Sequence, residues 1–155
     1  IDHMKWVFSP ALIVPALLVS PALAGTIVLK PGAYEVKSAR SIAFDGRLIH
    51  LSGIDAPAPG HMCTLRGKER DCGAIARSQL IDLTVAATIK CNINGGTASC
   101  TAGGFDISAQ MVYTGWAVPG KGAPEKYSEL MIDAKSKQRG LWRAELTPPW
   151  PPGSQ

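Results

Sequence analysis

Apolar and polar positions alternate in short runs after residue 25, and apolar positions recur at helical spacing only later in the chain. Thr26-Ile27-Val28-Leu29, Tyr34 to Ser38, Ser41 to Phe44 and Leu48 to Ser52 read as short strands, with turns at Pro31-Gly32 and Asp45-Gly46. Pro57-Ala58-Pro59-Gly60 breaks the pattern and opens a loop carrying Cys63. From about Gly73 to Val85 the period lengthens, with Ala74, Ile75, Ala76, Leu80, Ile81 and Leu83 spaced as on a helix. Alternation returns over Ala87 to Ala102, around the hairpin signal Asn94-Gly95-Gly96-Thr97. Asp106 suits the N-cap of a second helix, Ile107 to Thr114, which buries Met111 and Val112 and stops at Gly115. After a Gly- and Pro-rich loop from Val118, a third helix starts near Pro124 and carries Tyr127, Met131 and Ala134 inward. It ends at Gly140, where Leu141-Trp142 tuck back.

Strands first and helices afterwards predict one α+β domain over residues 25–146, with a small β-barrel. A chain of 155 residues, 46% of them apolar, can bury one core. The N-terminal stretch reads differently. Met4-Lys5, the apolar run Trp6 to Val19 and Ala22-Leu23-Ala24 before Gly25 form a signal-peptide pattern, preceded by Ile1-Asp2-His3. Pro10, Pro15 and a length short of the ~20 residues of a spanning helix argue against an anchor. Residues 1–24 are therefore set aside as leader, and Thr147 to Gln155, with Pro at four of nine positions, as an extended tail. A periplasmic or secreted monomer, with no membrane partner after cleavage, is the expectation.

Export changes the reading of the cysteines. Cys63, Cys72, Cys91 and Cys100 suit an oxidising compartment. Counting outward from a Gly95-Gly96 turn, Cys91 faces Cys100 at a non-hydrogen-bonded position, where Cα atoms approach to about 4.5 Å. Cys63 and Cys72 pair by elimination. Zinc binding is the alternative, but the chain has no Cys-x-x-Cys. Loss of residues 1–24 removes one base (Lys5) and one acid (Asp2), so the net charge stays at +4, compatible with a polyanion but not diagnostic of one.

The frame Ser38-Ala39-Arg40-Ser41-Ile42 to His50-Leu51-Ser52-Gly53-Ile54-Asp55-Ala56-Pro57 resembles the signature of the staphylococcal nuclease-like (thermonuclease) family. There it reads Asp-Gly-Asp-Thr-Ile, a turn, then Ile-Arg-Leu-x-Gly-Ile-Asp-Ala-Pro-Glu. Gly104-Phe105-Asp106-Ile107, Met111-Val112, Gly115-Trp116-Ala117 and Arg139-Gly140-Leu141-Trp142 are similar to its later motifs, in order. The resemblance runs from about Val36 to Trp142. It implies a five-stranded oligonucleotide/oligosaccharide-binding barrel with three helices.

The family's chemistry uses two aspartates on one calcium ion, a glutamate base and two arginines on the phosphate. Carried over without a gap, the first metal aspartate falls on Arg40, the first arginine on His50 and the second metal aspartate on Asp55. The glutamate falls on Ala58, and the second arginine, in a shortened loop, on Gly95. Only Asp55 is retained. The resemblance then implies a catalytically inactive, exported domain that acts by binding nucleic acid, a small anion or protein, with Arg40, His50 and Asp55 as a remnant cleft. No metal or other cofactor is expected, and Arg40 is expected to form an ion pair with Asp55. The alternative is an active secreted or periplasmic phosphodiesterase using Ca²⁺ and other residues. Asp45, Glu69 and Asp71 are the acids available to it, but turn or loop roles suit them better. Trp116 and Trp142 read as core and Trp150 as a contact residue in the tail.

Overall fold

The computed structural model describes residues 24–143; all of the 1–24 leader pattern but Ala24, which opens the first strand, and the Pro-rich tail with Trp150 lie outside them. The chain opens with β1 (Ala24–Leu29), β2 (Glu35–Ser38), β3 (Ser41–Phe44), β4 (Arg47–Leu51) and the two-residue β5 (Ile54–Asp55). Then come β6 (Met62–Leu65), β7 (Lys68–Asp71), α1 (Cys72–Thr84), β8 (Ile89–Asn94), β9 (Thr97–Ala102) and β10 (Phe105–Asp106). The series ends with α2 (Ile107–Tyr113), β11 (Val118–Pro119), α3 (Glu125–Ser136) and a 3₁₀ turn, Gly140–Trp142. The fold is α+β with three helices, as the pattern predicts. No helix among the described residues is long and apolar enough to cross a membrane.

The strands depart from five in a closed barrel. The main sheet has seven, in the order β1-β8-β9-β4-β3-β2 with β10 on β9, and β5–β11 and β6–β7 form two small sheets. The Pro31-Gly32 turn, closed by the Ala33 N–H on the Lys30 carbonyl at 3.0 Å, separates β1 from β2 where the pattern sets a turn, and the two strands lie at opposite ends of the sheet order. The two-residue β10 adds the seventh strand. All pairings in the main sheet are antiparallel except β4 with β9, where His50 faces Thr97.

The core lies between this sheet and the helices. Ile42, Ile49, Leu51 and Ile89 from strands meet Leu80, Met111, Val112 and Leu141. On α1, Cys72, Ala76, Leu80 and Thr84 are buried at four-residue spacing, one stripe of a 3.6-residue helix. The segment expected as a loop around Cys63 is instead the β6–β7 hairpin, and Asp71 is the N-cap of α1, accepting from the Ala74 N–H at 2.8 Å. Asp106 caps α2 as expected. It also accepts the Tyr127 hydroxyl at 2.8 Å and the Lys126 ammonium at 3.0 Å, which ties the start of α2 to α3. Trp116 is in the core, and Trp142 is partly buried under the Lys135 ammonium, 4.4 Å from the ring centre.

Both disulfides pair as the sequence predicts. Cys91 faces Cys100 across β8–β9 with Cα atoms 4.1 Å apart, and Cys63 joins Cys72 with Cα atoms 5.8 Å apart. Two bridges and no free cysteine fit an oxidising environment.

Candidate functional site

Arg40 sits in the tight turn between β2 and β3, and Asp55 in the short β5 that leaves the sheet after β4. A backbone hydrogen bond and a strand pairing fix the two segments. The Leu51 N–H donates to the Arg40 carbonyl at 2.7 Å, and β5 is held from its other side by β11, with Val118 opposite Asp55. The Arg40 guanidinium reaches across this junction. Its Nη1 lies 3.7 Å from Asp55 Oδ1 and donates to the Ile54 carbonyl at 3.2 Å. Asp55 is 2% exposed, and its Oδ1 also accepts the Ala56 N–H at 3.0 Å. The expected ion pair is therefore formed, with a buried acid and a base that is one-fifth exposed.

His50 is on the neighbouring strand β4. Its N–H donates to the Gly96 carbonyl at 2.8 Å, so the β8–β9 turn, including Gly95, closes against this strand. The sequence reading placed Gly95 here only through the resemblance. The parallel pairing of β4 with β9 is what brings it, and no local pattern announces that pairing. Gly95 has a positive φ of 64°, which suits a glycine in this tight turn. Ala58 belongs to a different contact: its carbonyl accepts the His61 N–H at 3.0 Å and faces Gly73 at the start of α1.

Arg40 Nε and His50 Nδ1 are buried with no hydrogen-bond partner among the described residues. Burial, and then the charge of Arg40, push the His50 imidazole below its ordinary pKa. The neutral ring is thus favoured in the folded protein. Unfolding lets His50 take up a proton at its ordinary pKa of 6.5, so its contribution to stability is complete above that pH. As pH falls below 6.5 toward the lower folded value, the unfolded state binds more protons and stability drops. His50→Gln should flatten this part of the curve. Urea midpoints measured between about pH 7 and pH 5 check it, and an unchanged slope would count against the assignment.

The arrangement sets the Asp55 carboxylate beside the guanidinium of Arg40. Among the described residues no three His, Cys, Asp or Glu side chains converge as a metal-binding group. Asp45 has a positive φ of 46° in the β3–β4 turn, where aspartate is tolerated, and Glu69 is on the exposed hairpin. No protein-family model matches the chain, and a search of curated proteins finds no match.

Proposed function

We propose that this chain is an exported, catalytically inactive member of the staphylococcal nuclease-like family that acts by binding. The observation that carries the reading is the Arg40–Asp55 ion pair, which puts a guanidinium beside the one acid the resemblance retains. Calcium prefers six to eight oxygens and a negatively charged site, and these residues do not fit it. A base at Ala58 and a phosphate clamp at Gly95 are missing as well, and each lost transition-state stabiliser costs about 10²–10³ in rate. What remains is a buried polar pair with Arg40 Nε and His50 Nδ1 unpartnered beside it, and binding there would need this junction to open.

The strand order supports the barrel that goes with this family. Only Lys30 to Tyr34 separate β1 from β2, and the 30–33 turn holds that link short. Six strands laid flat would put their outer strands about 24 Å apart, at about 4.8 Å per step. A link of this length, kinked by a turn, spans less than about 19 Å at 3.8 Å per residue step, so the sheet curls round toward closure. Export fits the two disulfides and the leader pattern.

The test is cleavage of DNA and RNA by purified protein with added Ca²⁺, with and without chelator. No chelator-sensitive cleavage is expected. Cleavage abolished both by chelator and by Asp55→Ala would overturn the reading in favour of an active phosphodiesterase.

A further inference from the structure

The β6–β7 hairpin carries an arrangement of charge that the remnant cleft does not use. Its alternation puts Lys68 and Arg70 on one face, with their cross-strand partners Leu65 and Cys63, and puts Glu69 and Asp71 on the other. The turn is Arg66-Gly67, with φ values of 52° and 70°, the double positive φ of a type I′ turn. Asn or Gly adopts such a turn most readily, so an arginine here sets a guanidinium at the tip at some conformational cost. The Cys63–Cys72 bridge fixes the hairpin to the first residue of α1.

Between hairpin and helix runs an open groove of about 450 Å³, lined by Leu65, Arg66, Lys68, Arg70, Ile75 and Arg143. Four of the six are cations and none is an acid. The four cations line one groove, while the acids of the same strand, Glu69 and Asp71, alternate to its other face. None of the four forms an ion pair with a described residue.

From this geometry we infer that the groove binds the phosphodiester backbone of a nucleic acid strand without reading its sequence. The inference rests on the binding reading above and names a second surface for it. Three of the four cations are arginines, whose forked guanidinium matches phosphate oxygens in pairs. Lys68 and Arg70, two residues apart on one strand, are spaced about 6.8 Å, so the two cations can meet separate phosphates of one strand. The uncharged lining is aliphatic, so there is no aromatic platform for stacking bases and no means of preferring one. The disulfide holds the hairpin in place before binding, which lowers the ordering cost.

Fluorescence anisotropy with a labelled single-stranded oligonucleotide of mixed sequence, at 50 to 200 mM salt, tests the proposal. Four phosphate contacts on a single strand predict a fall in affinity of about 50-fold across this range. Lys68→Ala with Arg70→Ala should bind more weakly and fall only about 7-fold, while Lys68→Arg with Arg70→Lys should keep the wild-type slope. Both positions are exposed, so these variants keep the fold. Binding that survives the double alanine variant but is lost in His50→Ala would move the site to the remnant cleft and overturn the groove. So would no binding at all, or binding only of a carboxylated polysaccharide. The same mixtures run on a denaturing gel read cleavage, so an active nuclease would be seen independently of where the strand binds.

Discussion

Arg40→Ala is expected to cost about 2–4 kcal/mol of folding stability, and most of that loss should be recovered when Asp55→Ala is added. Asp55 is 2% exposed, the Arg40 guanidinium lies 3.7 Å from its Oδ1, and the Ala56 N–H donates to the same oxygen. Removing one member of a fully buried ion pair costs about 3–5 kcal/mol. The one-fifth exposure of Arg40 admits some water and trims the figure. Removing both charges removes the uncompensated ion, so the double variant should be more stable than Arg40→Ala alone. Urea denaturation of the wild type, both single variants and the double variant measures the coupling. Additive losses would mean that the two side chains do not depend on each other, and the functional reading built on their pairing would fail with them.

Gly73→Ala should destabilise by about 3 kcal/mol or more, although alanine in a helix normally gains up to about 1 kcal/mol over glycine. Gly73 is the second residue of α1, and a Cβ there would meet the Ala58 carbonyl oxygen at 1.6 Å and the Pro59 nitrogen at 2.6 Å. Both are backbone atoms, so no side chain can swing away. Either the helix start or the loop after Asp55 must move. The Cys72 N–H on the His61 carbonyl, at 2.9 Å, and the Cys63–Cys72 bridge resist the first movement. For a domain of this size the loss lowers Tm by about 10 °C. Gly96→Ala is the matching control. A Cβ there meets nothing within 4 Å and the backbone has no positive φ, so its Tm should stay within a degree or two.

These two sites differ in how far they could be read from the chain. The Arg40–Asp55 pair was legible because the frame from Val36 to Pro57 carries over without a gap, and both positions point to one place. The β8–β9 register and its disulfide were legible because a Gly-Gly turn sets the pairing locally. Asp106 announced a helix start, since a capping side chain acts within three residues. The β6–β7 hairpin was not legible. Its turn is Arg-Gly rather than Asn-Gly, and Thr64, Lys68, Glu69 and Arg70 give no apolar alternation beside it. For the same reason Asp71 read as a loop acid rather than the cap of α1. The contact of Gly73 with Ala58 and the parallel pairing of β4 with β9 arise only when distant segments meet, and no local period encodes either.

The pairing of β1 with β8 has a consequence for how the chain comes to be folded. Leu29 faces Ile89 and Ala24 faces Asn94, partners sixty and seventy positions apart, whereas every rung of β6–β7 and β8–β9 joins near neighbours. Closing so long a loop costs entropy before any rung returns it, so the two short hairpins lead and β1 zips on late. β1 is also one of the two edge strands of this order, bonded on one side only and mostly exposed. The last segment to join is then the first to peel away, a local opening that leaves the disulfide-closed β8–β9 ribbon standing.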